Sequence, residues 1–157
     1  MKTDLMLIGE RHPLIHNITN YVAMNFVTNS LLAIGASPIM ARAEEEVGEI
    51  SAKCQALAQE LSSVIVVTGS TDLVTDGHRV AHIKEGHQLM SKVTAMGCTA
   101  TGIIGAFLAV SSDAFCASLH AMKVMGIAGE KAAAISRGNG SMMINFLDEL
   151  CNLSGHE

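Results

Sequence analysis

A layered α/β domain, with helices flanking a mostly parallel sheet and a β-hairpin near 72–83, is the fold class that the sequence predicts. Three observations carry it. Val64-Ile65-Val66-Val67-Thr68 is β-branched throughout with no polar alternation, the pattern of a strand buried on both faces. Asp72-Leu73-Val74-Thr75 and His78-Arg79-Val80-Ala81-His82-Ile83 flank Asp76-Gly77, the signal of a hairpin closed by a two-residue type I′ turn. Segments of helical period precede and follow these strands.

The first helical segment runs from about Asn20 to Ile34, with Val22, Phe26, Val27, Leu31 and Ile34 on one face. Thr19 suits its amino-terminal cap, Gly35 a left-handed stop, and Pro38 lies just beyond. A short strand follows at Ser37 to Met40. Ala43 to Leu61 reads as a second helix, opened by Glu44, Glu45 and Glu46 and carrying Val47, Ile50, Cys54, Leu57 and Leu61 on one face. After the hairpin come helices at Cys98 to Val110, Asp113 to Ile135 and Ser141 to Leu153, the last two capped by Asp113 and Ser141. No internal repeat or low-complexity linker interrupts the chain.

The 157 residues suffice for one domain that buries roughly 70% of its unfolded surface. Hydrophobic residues form 49% and charged residues 16%, which excludes a disordered tail, and the net charge of −5 offers no basic stripe for nucleic acid. The longest apolar or glycine run, Gly102 to Val110, is far short of the roughly 20 residues that span a bilayer, and the amino end lacks a signal-peptide pattern. A cytoplasmic location is expected. Cys54, Cys98, Cys116 and Cys151 include no C-x-x-C pair, so reduced thiols are expected rather than a zinc ribbon or a disulfide framework.

The strongest local signal is Thr94-Ala95-Met96-Gly97-Cys98-Thr99-Ala100-Thr101-Gly102, a small-residue loop leading into an apolar helix. Free N–H groups in a first helical turn, with the helix dipole, favour an anion, and Gly97 lets a phosphate approach the backbone. Cys98 sits in the same field, which lowers a thiol pKa, although a small buried Cys at a tight junction fits equally. No Walker loop occurs. His78 and His82 would stand roughly 13 Å apart on a strand, too far to share an ion, and read as a solvated hairpin face. Glu44 to Glu46 reads as a favourable first helical turn, and no metal ligands are assigned. Met40, at a strand end, suits a pocket wall.

Pro13-Leu14-Ile15-His16-Asn17-Ile18-Thr19-Asn20-Tyr21-Val22 and Thr28 through Met40 closely resemble the hydroxyethylthiazole kinase family. A second block resembles the same family's carboxyl half in the same order: Val66-Val67-Thr68-Gly69 through Asp72, Asp76-Gly77, Lys92-Val93-Thr94, Gly97-Cys98 and Gly105-Ala106-Phe107. The resemblance covers nearly the whole chain. It implies a ribokinase-like layered αβα domain, residues 1–157 forming a single shortened domain, and ATP-dependent phosphorylation of 4-methyl-5-(2-hydroxyethyl)thiazole in thiamine biosynthesis or salvage. It further implies ATP and Mg²⁺, and a homo-oligomer, a trimer, with active sites between subunits. Residue by residue, it implies that Asn20 and Met40 touch the thiazole, with Ala95 beside the hydroxyethyl site. Thr68 and Gly97 would contact ATP, and Cys98 would be the catalytic group.

Departures from the family pattern are specific. The family's Gly-Thr-Gly-Cys loop appears as Ala95-Met96-Gly97-Cys98, and its Gly-Pro-Gly-Ser as Gly138-Asn139-Gly140-Ser141. Its central section, with Asn-Ile-Gly-Thr, Asp-Pro-Val and Arg-Gly-Asn-x-x-Glu motifs, is absent: Ile50-Ser51-Ala52-Lys53-Cys54 runs directly toward Thr68. Arg137-Gly138-Asn139 is a decoy, because position 142 is Met rather than Glu. The absent section would carry acidic groups for magnesium and an Arg for phosphate, so a catalytically impaired thiazole-binding or assembly subunit is the alternative expectation.

Overall fold

Residues 1–19, 21–42 and 54–155 are described by a computed structural model of the chain. The predicted first helix forms as α2 (Tyr21–Ala33), and its chain reversal depends on Gly35, whose φ of 86° lies in the region open to glycine. The strand after it extends further than expected, as β2 (Ser37–Arg42), and pairs in parallel with β1 (Leu14–Thr19), with Leu14 opposite Ser37 and Asn17 opposite Met40. Thr19 therefore ends a strand, and the position preceding α2 lies outside the described residues. Only the end of the predicted second helix is described, as α3 (Cys54–Leu61), with Cys54 and Ala58 buried. Glu44, Glu45 and Glu46 lie outside the described residues.

Sequence reading missed α1 (Lys2–Arg11), which precedes β1 and buries Leu5, Ile8 and Gly9. Its apolar residues are consecutive, Leu5 to Ile8, a short run that fits a strand as well as a helix.

The fold class stands, but the sheet is divided. Besides the parallel pair, β3 (Ile65–Val67), β4 (Asp72–Thr75) and β5 (Val80–Ile83) form an antiparallel sheet in the order β3-β4-β5. The β-branched run is thus not a doubly buried parallel strand: every residue of β3 is half-buried, and β4 is its sole strand partner among the described residues. The hairpin forms, with Thr75 opposite Val80, but its turn is shifted by one residue. Asp76 N–H donates to the Arg79 carbonyl at 3.3 Å, so Gly77 and His78 are the loop residues and only Gly77 is left-handed, with φ 89°. His78 therefore lies in the turn rather than on a strand, exposed like His82.

The helical half follows the prediction closely. Helix α4 (Met96–Leu108) starts two residues early, α5 (Ala114–Ile135) has Asp113 as its cap, and α6 is Asn139–Ser154. Asp113 Oδ1 accepts from Phe115 N and Cys116 N at 3.0 and 3.2 Å. Ser141 is not the cap of α6 but lies inside its first turn, where its hydroxyl accepts from Arg137 N at 2.9 Å. Phe107, Phe146, Met142, Leu31 and Ile8 fill the core between these helices, α1 and α2, and the rings of Phe26 and Phe146 are tilted with centroids 6.0 Å apart. Helix α4 packs on β1 and α5, while α5 also packs on β4 and β5. Its amino end is thereby held beside the antiparallel sheet. Among the described residues no helix is long and apolar enough to cross a membrane.

Candidate active site

One cleft of about 610 Å³ opens where the amino end of α4 meets the antiparallel sheet, within the size range of small-molecule sites. Thr68 and Gly69 enter it from the end of β3, Lys84 and Glu85 from the end of β5, and Met96 and Gly97 from the first turn of α4. Met122, Met125 and Gly126 of α5 form its floor. Two of the residues predicted from sequence, Thr68 and Gly97, thus meet in one cavity.

Gly97 has a distinct local meaning. A Cβ built there meets nothing within 4 Å, and its φ is not left-handed, so neither packing nor backbone conformation requires glycine. What its missing side chain provides is open space above the first turn of α4. The N–H groups of that turn lack intrahelical acceptors and face toward incoming negative charge. Lys84, exposed at the same mouth and in no ion pair among the described residues, adds a cation suited to phosphate.

Asp72 closes the turn beneath this mouth, its Oδ1 accepting from Gly69 N at 2.8 Å. Burial pushes its carboxyl above the usual aspartate value, and the Gly69 N–H offsets only part of that. Glu85 Oε2 accepts from Lys84 N at 3.0 Å. The two cleft carboxylates are therefore already engaged with backbone. Among the described residues no group of three or more His, Cys, Asp or Glu side chains converges to hold a metal ion. Asp72 and Glu85 are the carboxylates that line the cleft, and magnesium in phosphoryl-transfer sites is held by one or two such groups together with substrate phosphates and water.

The other sequence-predicted residues lie apart from this cavity or beyond description. Cys98 follows Gly97 on α4, half-buried and packed against the core without lining the cleft. Ala95 precedes the helix in the left-handed region, φ 76°, a conformation costing a non-glycine residue about 1 kcal/mol or more. It stands where the resembled motif has glycine. Met40 falls within β2 rather than at its end, and its side chain lies outside the described residues, as does Asn20. Sequence reading missed Lys84, Glu85, Gly86, His87 and Met90 in the cleft wall. The available signal was Gly86, the third residue after β5, which is left-handed at φ 136°.

A family model described as the hydroxyethylthiazole kinase family matches residues 5–57 and 49–156. The hydroxyethylthiazole kinase of Desulfotalea psychrophila is 32% identical over 245 residues, covering 96% of this chain and 90% of the relative. That of Leptospira biflexa is 31% identical over 245 residues, covering 96% and 92%. Among solved structures, a hydroxyethylthiazole kinase protein from Pyrococcus horikoshii OT3 superposes with a TM-score of 0.85 at 26% identity, covering 96% of this chain and 92% of that one. An ADP/ATP-dependent NAD(P)H-hydrate dehydratase from Bacillus subtilis, at TM-score 0.51 and 20% identity over 64% of this chain and 38% of that one, shares the fold alone. Fold and cleft define a class, the layered α/β domains with a ligand cleft at a helix amino end. Within it, the chain belongs to the hydroxyethylthiazole kinase family.

The alignments also locate what is missing. They extend over 245 positions against 157 residues here, so a long stretch of each relative has no counterpart. The two matched segments of the family model meet at residues 49–57, which puts the discontinuity at the start of α3.

Proposed function

We propose that the chain is an ATP-dependent kinase of 4-methyl-5-(2-hydroxyethyl)thiazole, acting in thiamine biosynthesis or salvage as a single shortened domain over residues 1–157. The observation that supports this most is the open space over Gly97 inside the cleft that Thr68 and Lys84 also enter. In this reading the ATP phosphates lie over the first turn of α4. The hydroxyethyl oxygen attacks the γ-phosphorus, a new P–O bond forms, the bond to the β,γ-bridging oxygen breaks, and ADP leaves. Backbone N–H groups at Gly97 and the Lys84 ammonium offset charge on the transferring group. The family likeness assigns Cys98, which packs beside the cleft, to position the alcohol or accept its proton, and Asn20, Met40 and Ala95 to hold the thiazole. Magnesium belongs to the reading through the family, and the described residues assign it no ligand.

A second reading has its own support. The cleft carboxylates are engaged with backbone, and the section of the relatives without counterpart here is large, which favours a thiazole-binding or assembly subunit with impaired turnover. Incubation of the purified chain with the thiazole alcohol, Mg²⁺ and ATP separates the two. Thiazole phosphate above a heat-killed control supports the kinase, and calorimetric binding of the alcohol without product supports the subunit. If there is turnover, Cys98→Ala should lower kcat by roughly a hundredfold with KM little changed, as expected of a group acting in the transition state. An unchanged kcat would reduce Cys98 to packing. We also place the protein in the cytoplasm as a homotrimer, which light scattering on a sizing column tests: a monomer of 16.5 kDa would refute the trimer.

A further inference from the structure

One wall of the cleft, the segment 84–92 that follows β5, lies directly on α5, and two glycines of that helix make this approach possible. A Cβ on Gly126 would stand 2.6 Å from the Glu85 carbonyl oxygen and 2.7 Å from its carbonyl carbon. A Cβ on Gly129 would overlap Met90 Sδ and stand 2.9 Å from its Cε. The two glycines are three residues apart and share one helical face, although glycine is the poorest helix former after proline. One turn on, Glu130 Oε1 accepts from Gly86 N at 3.1 Å. Glu85, Gly86 and Met90 all line the cleft, and Met90 shares its apolar side with Met122 and Met125, a thioether surface suited to the flat face of a base.

We propose that Gly126 and Gly129 are positioning residues for the nucleotide: the notch they leave in α5 seats the 84–92 segment at the depth where the cleft admits the base and Lys84 reaches the phosphates. This deepens the reading of the cleft as the ATP site and rests on it. The two positions act differently. At Gly126 the obstacle is backbone, which has to lift by about an ångström to reach ordinary contact. At Gly129 the obstacle is the end of a flexible side chain, so an added methyl swings Met90 away, toward the cleft it lines.

Displacement of a fluorescent trinitrophenyl-ATP by ATP, read on the full chain, tests the seat. Gly126→Ala and Gly129→Ala should each weaken ATP by roughly tenfold, about 1.4 kcal/mol. Calorimetric affinity for the thiazole alcohol should stay within about twofold of the parent. Adding Met90→Ala to Gly129→Ala should restore ATP affinity to that of Met90→Ala alone, because the obstructing side chain is gone. Glu130→Gln, which keeps a carbonyl acceptor for Gly86 N, should bind as the parent does, whereas Glu130→Ala should bind more weakly. If Gly126→Ala does not fold, the Gly129, Met90 and Glu130 variants carry the same test. Unchanged ATP affinity in folded variants, or equal losses for ATP and alcohol, would overturn the seat while the nucleotide reading stood. No ATP binding by the unaltered chain would overturn that reading and the seat together.

Discussion

The two ends of the antiparallel sheet use charge in opposite ways. At the turn end, Arg79 Nε reaches Asp76 Oδ2 at 2.6 Å, its Nη1 and Nη2 reach the Asp113 carboxylate at 2.7 and 3.0 Å, and its guanidinium lies 4.4 Å above the centre of the Phe115 ring. Hydrogen bonds from the Arg79 backbone N–H and guanidinium hold the Asp76 carboxyl down at about 2. At the cleft end, Lys84 makes no ion pair among the described residues, and burial holds the Asp72 carboxyl above its usual value. One end is closed on itself and ties the hairpin to the cap of α5. The other leaves a cation and a row of helix N–H groups facing open space, the arrangement an anionic ligand requires.

The comparison breaks most readily at Gly97. If the space above it is kept for phosphate, Gly97→Val should weaken ATP by roughly tenfold or more while the thermal midpoint holds, since nothing lies within 4 Å of an added Cβ. Fluorescent-nucleotide displacement together with a melting curve checks this, and unchanged affinity would close the α4 turn as a phosphate site. A smaller effect is expected at Lys84, an exposed charge screened by salt. Lys84→Ala should weaken ATP by about three- to fivefold in low salt, and the difference should shrink as ionic strength rises. A loss that ignores salt would mean that Lys84 acts by packing rather than by charge.

What was legible in the sequence follows from how local each signal is. The carboxyl-terminal helices were readable because their caps and periods lie within their own segments, Asp113 above all. The sheet was less so, because Val64 to Thr68 looks alike whether a strand is paired on both sides or on one. Partners decide that, and β3 pairs only with β4 among the described residues. Ser141 misled because a hydroxyl near a helix start reads as a cap, whereas here it lies inside the first turn and accepts backward, from the Arg137 and Gly138 N–H groups. Within the cleft, Thr68 and Gly97 belong to segments with a readable motif, whereas Glu85, Met90 and Gly126 meet only in space, from segments with no shared pattern. The family itself was legible because its two blocks are long and ordered, and the two segments matched by the family model, 5–57 and 49–156, contain them.

The smallest expected effect lies at the closed end, and pH resolves it. Asp76 and Asp113 have carboxyl pKa values depressed in the folded chain, the first by the Arg79 backbone N–H and guanidinium, the second by the Arg79 side chain and the Cys116 N–H. A depressed carboxyl contributes stability above its unfolded value and loses it as pH falls through the folded one. For Asp76 that window runs from 3.8 down to about 2. Asp72 has the opposite sign: its raised value favours the folded state below the unfolded pKa, and this is lost as pH rises. Arg79→Met keeps apolar contact with Phe115 but removes the guanidinium from both carboxylates. It should lower the thermal midpoint by a few degrees at pH 7, and the gap from the parent should narrow steadily between about pH 4 and pH 2 as Asp76 takes up its proton. Melting curves across that range decide the matter. A gap independent of pH would show that Arg79 holds the hairpin by stacking alone, and the contrast between the two ends of the sheet would then be one of shape rather than of charge.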